Sequence, residues 1–208
     1  MHHFLMWGVI LLANYRRAKA AGGSYFFTVV TYRRQKFLCD DPVRDALRQA
    51  IQETRTTSPF VIDGWVLLPD HLHCIWTLPE CDVEFGKRWA MIKRFVSKRC
   101  GSILFHDEWR NDSKRRRNES TVWQRRFWEH MIRDEKDFSQ HMDYLHYNPV
   151  RHGLVASVKD WPFSTFHRLV EAGIYPEDWG GRGDAQEGEV FGEPRDSGKG
   201  AWNAPYDI

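Results

Sequence analysis

His71 and His73 are separated by one apolar residue within the run WVLLPDHLHCIWTL, Trp65 to Leu78. A β-strand points residues i and i+2 to the same face. A strand here therefore aims both imidazoles one way and sends Leu72 and Cys74 the other. Two imidazoles on one rigid face make half of a divalent-metal site. A second group of interest is DYLHYNP, Asp143 to Pro149. Residues i and i+4 share a helix face, so a helix offers Tyr144 and Asn148 to one spot. Two imidazole nitrogens and an amide oxygen can hold a divalent ion and leave positions open for water or substrate oxygens. A tyrosine hydroxyl is a weak nucleophile until a metal or base assists it. A cation bound to a phosphodiester withdraws charge and orients in-line attack. The chemistry these residues could serve is phosphoryl transfer through a phosphotyrosine, which keeps the bond energy so that a strand can be rejoined. Tyr147 is a rival nucleophile; the spacing from Tyr144 to Asn148 favours Tyr144. His130 and His146 are further polar neighbours. Each motif alone is common in packed cores and at helix ends, and it is their conjunction that carries the reading.

The elements that must position these residues follow from periodicity and caps. Ser24 to Tyr32 is aromatic and β-branched, as buried strands are. Asp41 and Pro42 open a helix as N-cap and first helical residue, and Val43, Ala46, Leu47, Ala50 and Ile51 form its apolar stripe. Strands over Phe60 to Leu68 and His71 to Leu78 follow, joined by a turn at Pro69-Asp70. A second helix is expected from about Val83 to Arg99, capped by Asp82. Cys100 to Thr121 lacks regularity, and its KRRR run (Lys114 to Arg117) is expected to be a mobile basic loop. A fourth strand is expected near Phe127 to Ile132. Asp134 should cap a third helix that ends at Asn148, because Pro149 disfavours helical geometry in the residue before it. One short helix is expected near Thr165 to Ala172. The order strand, helix, strand, strand, helix, strand, helix is α+β. It matches the ferredoxin-like split βαβ plan: a four-stranded antiparallel sheet, two helices on one face, and an added C-terminal helix carrying the tyrosine.

The chain has 208 residues, enough for one full domain. Its formal charge of +2 hides an asymmetry. Lys87 to Arg133 holds 14 Lys/Arg against 5 Asp/Glu, whereas Glu171 to the C-terminus holds 3 against 9. A basic body with an acidic tail points to a polyanionic partner. The four cysteines form no C-x-x-C pair, which argues for reduced thiols and against a structural zinc site or a secreted disulfide framework. The apolar run Phe4 to Ala13 is too short for a membrane span of about 20 residues. Its basic pair follows the run instead of preceding it, unlike a signal peptide. Residues 1–13 are expected to lie outside the domain, residues 14–180 to form it, and 181–208 to be a disordered acidic tail.

Four segments together resemble the REP-associated tyrosine transposases, a branch of the single-tyrosine HUH (Y1) transposases. They are NYRRAKAAGGSYFFTVVTYRR, LLPDHLHCIW, WQRRFWEHMIRDEKDFSQHMDYLHYNPVRHGLV and WPFSTFHRLVEAGIYPEDWG. The resemblance spans Asn14 to Gly180. It implies that His71 and His73 are the His-hydrophobic-His metal ligands, that Asn148 completes the metal shell, and that Tyr144 is the nucleophile. It further implies Mg²⁺ or Mn²⁺ as cofactor. The implied substrate is single-stranded DNA carrying a palindromic hairpin (a repetitive extragenic palindrome) beside a short guide tetranucleotide. Cleavage would form a 5′-phosphotyrosine and permit strand transfer. The N-terminal extension and the acidic tail have no counterpart in that pattern.

Arg33, Arg34, Lys87, Arg94, Lys98, Arg125 and Arg126 are candidates for DNA phosphate contacts, which position a strand without reading it. A cytoplasmic, nucleoid-associated protein is expected. The alternative to an enzyme is a domesticated, non-catalytic DNA-hairpin binding protein. A monomer is favoured over a dimer that exchanges tyrosine helices.

Overall fold

The computed structural model describes residues 20–181. The expected N-terminal extension, 1–13, and nearly all of the expected tail lie outside the described residues. The elements run β1 (Ser24–Val30), α1 (Asp41–Thr57), β2 (Val61–Leu67), β3 (His71–Thr77), α2 (Phe85–Arg99), α3 (Gly101–Leu104), α4 (Asp112–Arg116), β4 (Trp128–Met131), α5 (Glu135–Arg151) and α6 (Phe166–Glu171), with single 3-10 turns between some of them. The sheet order is β2-β3-β1-β4, antiparallel throughout. This is the expected ferredoxin-like α+β plan. Among the described residues no helix is long and apolar enough to cross a membrane, and the four cysteines are free.

Alternation along the central strands divides the core in two. Tyr25, Phe27 and Val29 of β1, with Leu72, Cys74 and Trp76 of β3, meet α1 and α2. Trp76 and Trp89 stack there at 4.2 Å. Arg88, only 1% exposed, ties α2 down by bonding Asp82 and the carbonyls of Ser58 and Pro59. On the other face Phe26 and Ile75 meet Met142, Tyr144 and Leu145 of α5. The histidine pair belongs to this second face, as strand periodicity requires.

Gly64 is what lets α5 lie close to the sheet. A Cβ at that position would stand 2.6 Å from the Met142 sulfur. The strand also shifts register between Ile62 and Gly64, a bulge that re-aims β2 under the helix.

Several boundaries depart from expectation. The N-caps fall at Asp40 and Glu84 instead of Asp41 and Asp82; Asp82 still accepts from the Glu84 N–H. The basic run is not a loop. Asn111 caps α4 by accepting from Lys114 N–H at 2.9 Å. Arg115 pairs with Asp107 and Lys114 with Glu119, so local acids neutralise the charges that suggested disorder.

α5 also does not end at Asn148. It continues through Pro149 to Arg151. Pro149 has no N–H to offer the carbonyl of Leu145, so the final turn goes one backbone hydrogen bond short, and the turn beyond it caps the last carbonyls. Leu154 N–H bonds Pro149 O and Gly153 N–H bonds Val150 O, both at 2.9 Å. Gly153 sits at φ +66°. This is a Schellman close with glycine in the left-handed position.

Candidate active site

The site is assembled from strand and helix as their periods demand. His71 and His73 lie on β3, 1% and 0% exposed, with ring centroids 5.0 Å apart. α5 crosses above them and sets the Tyr144 ring 5.4 Å from His73. Phe26 is the floor between the elements, 5.3 Å from His73 and 6.0 Å from Tyr144. Tyr144 and Asn148 are both buried on the same helix. Tyr147, the rival nucleophile, is only half-buried and turns its ring towards Trp179.

Each histidine is oriented through Nδ1. His71 Nδ1 lies 2.7 Å from Asp70 Oδ1. Burial works to raise the Asp70 carboxyl, but the His71 hydrogen bond and the Arg34 guanidinium at 3.1 Å outweigh it and hold Asp70 below its ordinary value. An ionised carboxylate only accepts, so His71 Nδ1 carries a proton, and in the neutral ring this leaves Nε2 as the nitrogen that can ligate. His73 Nδ1 lies 2.9 Å from the Thr28 hydroxyl across the β1–β3 pair. Polar partners on the far nitrogen fix the ring and tautomer of metal-binding histidines.

Asn148 is fully buried, and among the described residues neither atom of its side-chain amide has a hydrogen-bond partner. Burying an unsatisfied amide costs about 1–3 kcal/mol. Such a group, one turn along α5 from Tyr144, is what an oxygen-seeking cation would satisfy. The donor set of two imidazole nitrogens and one amide oxygen therefore fits a divalent metal.

A second polar cluster lies behind Phe26. His130, Asp137 and His141 bring their ligand-type atoms within 4.8 Å of one another, and the two imidazoles stack at 4.5 Å. Arg133 Nε stands 3.0 Å from the same Asp137 carboxylate. A guanidinium fixed there opposes a second cation, so the cluster is an ion-pair network that locks β4 to α5. Burial would raise the Asp137 carboxyl, yet hydrogen bonds from Arg133 and His130 hold it well below its ordinary value. His146, on the side of α5 towards α6, bonds Thr165 at 3.1 Å. Burial, with Arg168 nearby, pushes its pKa down to about 3 and keeps it neutral.

The basic candidates divide into groups. Arg34 joins Asp70 and so belongs to the histidine support. Arg33 lies over the Trp109 ring at 5.3 Å. Arg94, Lys98 and Arg125 line one groove of about 740 Å³ with Lys93, Lys114 and Trp123. That groove adjoins α2, which packs on the sheet face opposite the histidines. Lys87 and Arg126 are exposed and lie outside the groove's lining.

Sequence reasoning missed Thr28, Asp70 as a histidine partner, the Asp137 network, and Arg151 and His152. The Arg151 guanidinium lies 5.4 Å from the Tyr144 ring centroid, and the His152 ring 5.2 Å from His71. The i+7 spacing from Tyr144 could have found Arg151, had the helix not been ended at Asn148.

Fold and site together define a ferredoxin-like domain whose central strand presents a His-x-His pair beneath a tyrosine-bearing helix. No family model matches the chain. It is 45% identical over 170 residues to the REP-associated tyrosine transposase of Escherichia coli K12, covering 82% of this chain and 92% of that one. It is likewise 45% identical over 177 residues to a Haemophilus influenzae relative described under the same family name, covering 83% and 96%. A solved structure of a REP-associated tyrosine transposase bound to a REP hairpin superposes with a TM-score of 0.69 at 43% identity, covering 86% of this chain and 98% of that one. The chain belongs to the REP-associated tyrosine transposase family.

Proposed function

We propose that this protein is a metal-dependent single-stranded DNA endonuclease and strand transferase that acts at palindromic REP-type hairpins through a 5′-phosphotyrosine. The observation that carries the reading is the Tyr144 ring 5.4 Å from His73 of its own chain, beside histidines already oriented through Nδ1. The solved relative bound to a REP hairpin supports the substrate class. Residues 14–180 would constitute the single HUH domain, with residues 1–13 and 181–208 outside it.

His71 and His73, through Nε2, and Asn148, through its amide oxygen, would hold Mg²⁺ or Mn²⁺. Such a cation, when bound, withdraws charge from the scissile phosphodiester and orients it. The Tyr144 oxygen attacks phosphorus, the P–O3′ bond breaks, and the 5′-phosphate stays on the tyrosine while a 3′-hydroxyl leaves. The burial of Tyr144 and both histidines keeps bulk water from the linkage, which favours rejoining over hydrolysis. Closure of the site by one chain supports action as a monomer. Arg33, Lys87, Arg94, Lys98, Arg125 and Arg126 would meet phosphates along the strand.

Incubating the protein with a labelled hairpin oligonucleotide and Mn²⁺ tests the reading. The expected result is a protein–DNA band that survives denaturation and is lost in Tyr144→Phe. Tight binding with no covalent band under Mg²⁺ or Mn²⁺ would overturn it in favour of a non-catalytic hairpin-binding protein.

A further inference from the structure

We infer that Arg151 is a phosphate-binding residue of this site, its guanidinium holding the scissile phosphodiester against Tyr144. The inference rests on the reading of Tyr144 as nucleophile. Tyr144, Asn148 and Arg151 stand at i, i+4 and i+7, so one stripe of α5 carries all three. That stripe exists because the helix continues through Pro149 and is closed beyond it by Gly153 and Leu154.

The arginine is placed for a ligand. Its guanidinium carbon lies 5.4 Å from the Tyr144 ring centroid. Arg151 is exposed while Tyr144, His71 and His73 are buried, which sets it at the mouth of the site. Among the described residues no carboxylate makes a salt bridge to it, in contrast to Arg34, Arg88, Arg115 and Arg133. A planar guanidinium with five donors matches two phosphate oxygens at once and stays charged at any working pH.

In the cleavage step the Tyr144 oxygen forms a bond to phosphorus as the bond to the 3′-oxygen breaks. The tyrosine's proton passes to a single water admitted at the mouth of the site, and the departing 3′-oxygen takes one back from it. Negative charge builds on the non-bridging oxygens, where Arg151 donates hydrogen bonds. Arg151 itself neither gives nor takes a proton. A donor of this kind, aimed at charge that develops in the transition state, acts on rate more than on binding.

The test measures two quantities on the full chain: the single-turnover rate of covalent adduct formation on a hairpin oligonucleotide with Mn²⁺, and the DNA dissociation constant. Arg151→Gln should slow the adduct roughly 10²–10³-fold, with DNA affinity and melting temperature little changed. Arg151→Lys should recover part of the rate. A methylphosphonate at the scissile position removes the non-bridging charge, and wild type and Arg151→Gln should then react alike. A loss equal on both substrates would assign Arg151 a merely structural role and overturn the inference. A wild-type rate in Arg151→Gln, with Tyr144→Phe inactive, overturns Arg151 alone. An adduct that persists in Tyr144→Phe, or none in the wild type, overturns the nucleophile reading and this inference with it.

Discussion

His73 and Thr28 face each other across the two central strands, with His73 Nδ1 2.9 Å from the threonine hydroxyl. Thr28 sits in the register of β1, forty-five residues away in sequence. Supporting partners of this kind are worth about 10–100-fold in metal affinity. Thr28→Val should therefore weaken Mn²⁺ binding by that factor, and Thr28→Ser should retain it, as read by calorimetric titration. Unchanged affinity in Thr28→Val would mean that the Thr28 hydroxyl does not support metal binding through His73.

Asn148 carries a buried amide that the described residues leave without a hydrogen bond. Asn148→Leu removes a buried amide that no described residue satisfies and keeps a similar volume. In EDTA the variant should melt at the wild-type temperature or higher, while adduct formation is lost. A destabilised variant would show that Asn148 serves the fold and not a ligand.

Close approach of α5 depends on Gly64. An added Cβ meets the movable end of Met142, so Gly64→Ala should be mild. Gly64→Leu overpacks the same gap and should cost about 1–3 kcal/mol. Because Tyr144 rides on α5, cleavage should fall with it. Denaturant unfolding beside the cleavage assay checks both effects.

The Asp137 network makes stability depend on acid. Its carboxyl is held below the ordinary value of 3.8 by Arg133 and His130, against burial. A depressed folded-state pKa contributes stability above the unfolded value and loses it as pH falls below that value. Asp137→Asn should cost about 1–3 kcal/mol at pH 7. The gap to wild type should narrow as pH drops below about 3.8. Urea midpoints at pH 7, 5 and 3 measure it, and a gap independent of pH would assign the effect to packing.

The groove on the opposite sheet face should act through charge alone. Arg94→Glu with Lys98→Glu should weaken hairpin binding at every sequence tested. It should also flatten the salt dependence, by a slope of about 1 for each phosphate that the variant no longer neutralises. An unaltered salt slope would place the DNA elsewhere.

Local periodicity made much of this protein legible. HLH on a strand had to present two imidazoles together, and YLHYN on a helix had to pair Tyr144 with Asn148, because a strand repeats every two residues and a helix every 3.6. The strand and helix order settled the ferredoxin-like plan. The apolar stripes of α1 and α2 are equally local facts. What stayed hidden depends on how side chains meet once the elements are packed. Thr28 reaches His73 through sheet register, Arg34 reaches Asp70 across a turn, and Asp137 gathers His130 from β4. The KRRR segment became helical because Asp107 and Glu119 neutralise it in space. Pro149 did not stop α5: the helix runs one bond short there, and the turn closed by Gly153 caps the carbonyls of Pro149 and Val150 beyond it. Sequence alone determined which side chains share a face. Only tertiary packing decided which faces meet, and so which residues hold the histidines still and bring Arg151 over Tyr144.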